Sequence, residues 1–166
     1  MACVAGETMT LHINTVPQTS SNRRTFRTVA RHSTGDTFEP GQSEVIFFGF
    51  IGHDTVAVSC YEPADPLLVD PTPSTNITTA YAHCVSYIFV KPGFQSHGFG
   101  SKLMDAMECD MEKRLPGRPY RLHASRQAVP FFEKLGYVQC GSAFRPVCPG
   151  SPLFNMLIPM EKLCSR

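Results

Sequence analysis

Between Gln95 and Ser101 the chain reads Gln-Ser-His-Gly-Phe-Gly-Ser, a glycine-rich turn that leaves backbone N–H groups uncovered. It follows an apolar run, Ile88-Phe89-Val90, which is β-branched and aromatic and is stopped by Lys91-Pro92-Gly93. Beyond it, Leu103, Met107, Met111 and Leu115 recur at helical spacing, with Met104 and Ala106 beside them. Strand, glycine turn and helix N-terminus together predict an anion site suited to phosphate, because free amides and the positive end of the helix dipole converge there. Two nucleotide-binding readings fail on detail. A P-loop needs Lys-Ser or Lys-Thr directly after its last glycine, and Ser101-Lys102 reverses that order. A Rossmann fingerprint needs a third glycine where Leu103 stands.

The stretch Val90-x-Pro92-x-x-Gln95-x-x-Gly98-x-Gly100 resembles the acetyl-CoA motif of the GNAT (Gcn5-related) N-acetyltransferases, whose core is Arg/Gln-x-x-Gly-x-Gly/Ala. A second stretch, Ala128-Val-Pro-Phe-Phe-Glu-Lys-Leu-Gly136-Tyr137, is similar to that family's Ala-x-x-(Phe/Leu)-Tyr-x-x-x-Gly-Phe/Tyr. The resemblance covers about residues 43 to 163. Within it, Val129 to Lys134 is similar to the Val-Pro-Phe-Tyr-Glu-Arg of arylalkylamine N-acetyltransferases, although the paired strand histidines of those enzymes are absent. The resemblance implies an α+β fold, a mixed and mostly antiparallel central sheet flanked by helices. It implies acetyl-CoA as cofactor and a primary amine of a small molecule or peptide as acceptor. Residues 1–166 then form one such domain, with 1–42 as an atypical N-terminal part.

Acetyl transfer to an amine needs a held thioester, a deprotonated amine, a stabilised oxyanion and a leaving thiolate. The resemblance assigns the backbone amides from Ser96 through His97, Gly98, Phe99 and Gly100 to Ser101 to the pyrophosphate of coenzyme A. Gln95 fixes the turn, and His97 is either a phosphate contact or a solvent-exposed loop histidine. Ile88, Phe89 and Val90 pair with the pantetheine arm like an added strand, and a backbone N–H there points at the thioester oxygen. Ser125 stands where the family frequently has Asn, beside the same arm. Phe132 stands where the family commonly has the Tyr whose phenol protonates the thiolate. Phe132 has no such proton, so Tyr87 or Tyr137 is left to act through water, against a packing role for each. A thiol of pKa about 8.5 also leaves tolerably unaided.

The expected general base is His83, since an amine of pKa about 10 arrives protonated at neutral pH. By residue count Cys84 holds the closer equivalent position, and alternation puts His83 on the opposite face. A β-bulge, a frequent active-site device, would reconcile the two. His123 on the next strand and Glu62 at a hairpin's end are the remaining candidates. The alternative to an enzyme is a catalytically weakened module that binds acetyl-CoA or coenzyme A.

The elements that must position these residues follow from pattern. Thr10 to Val16 alternates like a strand, as does Arg24 to Arg31, and no helix-forming periodicity is evident before residue 42. Val45 to Ile51 and Thr55 to Tyr61 form a hairpin around Gly52-His53-Asp54. Glu62 to Thr79, with Pro63, Pro66, Pro71 and Pro73, is a long loop. Tyr81 to Val90 is the central strand, Tyr120 to Ala124 a shorter one, and Pro116-Gly117 ends the helix between them. Ser125 offers an N-cap to a second helix whose apolar face is Ala128, Phe131, Phe132 and Leu135, with Gly136 as its left-handed stop. Tyr137 to Cys140 and Phe154 to Met160 are the last strands. A net charge of +1 gives no electrostatic case for nucleic acid or a membrane surface, and no apolar run approaches the roughly 20 residues of a bilayer span. No signal peptide is evident, so a cytoplasmic protein is expected. Seven dispersed cysteines without a C-x-x-C pair speak against a metal site or a disulfide framework, and Asn76-Ile77-Thr78 is a chance sequon. Exposed edge strands near the C-terminus fit a homodimer.

Overall fold

The computed structural model describes residues 9–68, 81–146 and 155–164. The second half of the proline-rich loop, the sequon, Cys3 and Cys148 lie outside the described residues. The strands are β1 (His12–Val16), β2 (Val45–Ile51), β3 (Asp54–Glu62), β4 (His83–Val90), β5 (Tyr120–Ser125), β6 (Val138–Gln139) and β7 (Leu157–Lys162). The helices are α1 (Ser20–Thr34), α2 (Phe99–Arg114) and α3 (Val129–Lys134). The strands form one sheet in the order β1-β2-β3-β4-β5-β7-β6. Every neighbouring pair is antiparallel except β4 and β5, which run parallel. The expected α+β architecture, a mixed and mostly antiparallel sheet with flanking helices, is what the chain forms.

Helix α1 corrects the reading of Arg24 to Arg31 as a strand. Thr19 caps it by accepting from the Asn22 amide at 3.1 Å, and Gly35 ends it at φ +82°, donating its N–H to Arg31 O. The apolar stripe is narrow, Phe26, Val29 and Ala30, with polar and β-branched residues around it, so local propensity is weak and burial supplies the stability. Phe26 is 0% exposed and meets Tyr87 and Phe89 edge-on at 6.4 and 6.3 Å, closing a cluster with Ile46, Phe48, Val58 and Cys60 on one face of the sheet. No second helix forms between Gly35 and β2.

The opposite face carries α2. Phe99, Leu103, Met104, Met107 and Met111 bury against Phe47, Tyr61, Val85 and Met160. A belt of polar bonds ties the same helix to the strands. Tyr61 donates its hydroxyl to Asp110 at 2.5 Å and Arg114 holds that carboxylate at 2.7 Å. Tyr137 and Lys162 both donate to Glu108, at 2.9 and 2.7 Å.

Two irregularities in β4 matter for the site. Cys60 lies opposite Tyr87 and Tyr61 opposite Val85, so Ser86 is an extra residue, a β-bulge. Alternation reverses across it: Val85 faces α2, and so do Ile88 and Val90, while Tyr87 and Phe89 turn to α1. In addition, β4 and β5 pair only from His83↔Tyr120 to Val85↔Leu122. Beyond that β4 stays with β3 and β5 with β7, so the sheet parts in its middle.

Phe26→Ala is expected to destabilise the protein by about 3–5 kcal/mol, the usual range for a buried Phe. Urea unfolding followed by circular dichroism measures this, and a loss well under that range would mean that α1 is not docked as described.

Candidate active site

The parted strands open onto a cavity of about 790 Å³. Its walls are Val85 to Val90 of β4 and Leu122 to Ser125 of β5, and its end is the glycine turn with the first residues of α2. Ala128, Phe131, Phe132 and Lys134 close the far side.

The turn is held open by specific contacts. Gln95 donates its side-chain amide to Val90 O at 2.9 Å, which closes the loop after β4. Ser33 of α1 donates its hydroxyl to the same carbonyl at 3.0 Å. Ser96 takes φ +63° and Gly98 φ +76°, so the chain passes through left-handed conformations before α2 begins. No side chain caps α2, and among the described residues no acceptor meets the amides of Gly98, Phe99, Gly100 and Ser101. The two glycines do different work. Gly98 needs its positive φ, whereas a Cβ on Gly100 would stand 3.2 Å from the Phe131 ring, so the second glycine lets α3 pack close to α2. Lys134 adds a cation to this wall, which sequence reasoning did not single out.

Of the sequence candidates, Tyr87, Ile88, Phe89, Val90, Gln95, Ser96, Gly98, Phe99, Gly100, Ser101, Ser125 and Phe132 all line this one cavity. His97 does not. Its Nδ1–H donates to Gln95 O at 2.7 Å and its ring lies 5.7 Å from that of Phe99, which makes it a loop residue. Ser125 is the last residue of β5, and only its carbonyl serves α3, by accepting from the Ala128 amide at 2.9 Å. The expected hydroxyl N-cap is therefore absent, and Ala128 occupies that position without a side-chain bond.

His83 is elsewhere. It is 0% exposed on the α2 face, where Nδ1 accepts from the Ala64 amide and Nε2–H donates to Leu115 O, both at 3.1 Å. Burial lowers its pKa and both nitrogens are occupied, so it closes the C-terminal end of α2 instead of meeting a substrate. The bulge does exist, but it lies after His83 and leaves that residue facing the core.

The imidazole in the cleft is His123. It meets Phe144 edge-on at 5.0 Å, and among the described residues neither ring nitrogen has a hydrogen-bond partner. Partial burial lowers its pKa, which keeps it neutral and able to accept a proton at pH 7. Tyr87 packs against Phe38 and Phe89 at 5.2 and 5.7 Å, and burial raises its pKa, so the phenol stays protonated. Cys84 is pushed up to about 11 by burial, and a protonated thiol offers no route through an acyl-cysteine. Phe132 is 6% exposed, wedged between Phe131 and Tyr137 at 5.0 and 5.9 Å, and brings no proton to the cleft. Ser86, turned outward by the bulge, also lines the cavity and donates to the carboxylate of Glu44.

Comparison with known proteins agrees with this geometry. Residues 76–158 match the family model of the acetyltransferase (GNAT) domain. The chain belongs to the GNAT acetyltransferases. No curated protein matches the sequence significantly. Among solved structures, the fold is similar to that of the ribosomal-protein-S18-alanine N-acetyltransferase of Escherichia coli, with a TM-score of 0.70 at 14% identity, over 95% of this chain and 96% of that one. An acyl-CoA N-acyltransferase of Pseudomonas aeruginosa gives 0.69 at 11% identity, over 92% and 99%. A Bacillus subtilis acetyltransferase in complex with CoA gives 0.62 at 12% identity, over 93% and 100%.

Gly98→Pro is expected to weaken coenzyme A binding about a hundredfold or more. Proline is fixed near φ −65° and cannot take the turn, and each lost bond to a charged phosphate is worth about 1.5–3 kcal/mol. Titration calorimetry on a variant that still melts cooperatively gives the answer, and unchanged affinity would remove this turn from cofactor binding.

Proposed function

We propose that this protein transfers the acetyl group of acetyl-CoA to a primary amine of a small molecule or peptide. One observation carries the reading. A single cavity joins the uncovered amides of α2 to the bare edge of β4, and a neutral imidazole stands across from them on β5. The amides and the helix dipole receive the diphosphate, with Lys134 as a nearby cation. The pantetheine arm then adds to the edge of β4 from Ser86 onward, where β5 has moved away. That would bring the thioester to the bulge, where backbone N–H groups of β4 would receive the developing oxyanion. His123 takes a proton from the acceptor ammonium, the amine nitrogen attacks the carbonyl carbon, the C–S bond breaks, and the nitrogen's second surplus proton passes to the departing thiolate, which leaves as the free thiol. The thiolate leaves without Phe132's help. A neighbouring phenol, Tyr87, remains protonated as the available donor.

Turnover of acetyl-CoA over a panel of amines tests the reaction. His123→Gln is expected to lower kcat by about 10²–10⁴-fold. In the wild type the rate should fall on the acid side with a pKa below the ordinary imidazole value of about 6.5, because burial lowers it and only the neutral ring is a base. The variant should lose that limb. A kcat and acid limb unchanged in the variant would remove His123 from the chemistry.

A second reading, a coenzyme A-binding module with weakened catalysis, is favoured by the buried Phe132. Phe132→Tyr separates the two. A rise in kcat of about tenfold or more, the scale of one added acid, indicates a handicapped enzyme. Tight acetyl-CoA binding without turnover in either form indicates the module.

A further inference from the structure

Behind the cleft wall a carboxylate is held by more contacts than a surface residue needs. Glu44 ends the connection from α1 to β2, and its Oε1 accepts from the hydroxyl of Ser86, the bulged residue that lines the cavity. Its Oε2 accepts from the Gly41 amide at 2.6 Å. A Cβ on Gly41 would stand 3.4 Å from the Glu44 carboxyl carbon, so glycine leaves room for this approach. The turn from Gly41 to Glu44 is itself clamped. Gln18 donates its side-chain amide to Gly41 O at 2.9 Å and to Glu44 O at 2.7 Å, and Arg23 holds the Gln18 oxygen at 2.8 Å.

Some of the described carboxylates are held by a cation and others, Glu62 and Glu44 among them, are not. Glu39, Asp110, Glu161 and Glu108 each pair with an Arg or Lys. Among the described residues Glu44 pairs with none. Ser86 and Gly41 fill two of roughly four lone-pair sites on a carboxylate and the Cys60 thiol bonds to it as well, so acceptor capacity remains. Burial raises the pKa of Tyr87, Cys60 and Cys84, and the Glu44 charge adds to it in the same direction. A carboxylate thus stands one hydrogen bond behind Ser86 of the β4 wall, with the neutral His123 on the β5 wall and the parted strands between them.

We propose that Glu44, set by Ser86 and the Gly41–Glu44 turn, is a specificity-determining residue that recognises the acceptor as an ammonium, so that the acceptors are basic alkyl amines that enter charged. This rests on the reading of the cleft as an acetyl-transfer site. The Glu44 carboxylate is the counter-charge to that ammonium. It offsets the loss of water around the incoming cation, and the positive charge that then passes to His123 remains within the same field.

The test uses the full chain saturated with coenzyme A at pH 7, titrated by calorimetry with hexylamine and with its neutral counterpart 1-hexanol. The wild type is expected to bind the amine at least about tenfold more tightly, the scale of one hydrogen bond to a charged group. Glu44→Gln, which keeps the side chain's shape and one acceptor oxygen but not its charge, should erase the preference without moving coenzyme A affinity, and Ser86→Ala should reduce it. Equal binding of amine and alcohol by the wild type overturns the proposal. So does no amine binding, a preference that survives Glu44→Gln, or an equal loss of both ligands in that variant. Acetyl transfer is assayed separately. A Glu44-dependent preference without turnover would sink the proposed reaction and leave the anchor standing, and turnover without the preference would do the reverse.

Discussion

The structure depends on a pair of parallel strands that stop pairing halfway. Buried backbone N–H and C=O groups are almost always satisfied, so a sheet that opens in its interior is costly unless something else holds each side. Here β4 is held by β3 as far as Val90, and β5 is held by β7 as far as Ser125↔Leu157. The tip of β4 is secured twice more, because Ser33 from α1 and Gln95 from the following loop both donate to Val90 O. The bare edge that results is a place for an extended ligand, and the bulge at Ser86 sets which groups look into it. Without the bulge, Ile88 would share a face with Ser86 and the α1-side aromatics would be rotated into the cleft.

The glycine turn depends on that frame. Its amides are uncovered because α2 starts from a left-handed residue with no side-chain cap, and α2 is fixed by the methionine-rich core beneath it. Gly100 then allows Phe131 to close over the first turn, so the second glycine ties the two sequence motifs together in space. The spacing of those motifs along the chain is therefore a packing relation as much as a chemical one.

Much of this was legible in the sequence because its determinants are local. The turn, the β2–β3 hairpin, the periodic core of α2 and the stop at Gly136, with φ +91°, each follow from residues within a few positions of one another. Helix α1 was not legible, since three buried residues in a polar, β-branched segment give little periodicity and its stability comes from β3 and β4. His83 and His123 show the same limit. Both are strand histidines whose pKa is lowered by burial, and only tertiary structure shows that one has both nitrogens occupied while the other faces a cavity. Glu44 left no signal at all, because its partner Ser86 is 42 residues away and is exposed by an irregularity that no single-strand pattern reports.

The two faces of the sheet divide their polar groups by whether hydrogen-bonding capacity remains. On the α2 face, Tyr61 with Asp110 and Arg114, Tyr137 and Lys162 with Glu108, and His83 with Ala64 and Leu115 form closed arrangements. Closed arrangements of this kind rigidify, and their protons have nowhere to go. Across the parted strands the opposite holds among the described residues: His123 has an open ring nitrogen, Glu44 has lone pairs beyond its donors, and the first amides of α2 have no acceptor. Groups left short of partners inside a rigid frame are costly to keep in an empty protein, and in the proposed reaction they would be satisfied together by a ligand carrying phosphates at one end and a cation at the other. That combination is what a coenzyme A thioester meeting an ammonium presents, and it links the unfilled edge of the sheet to the chemistry without reference to any one residue.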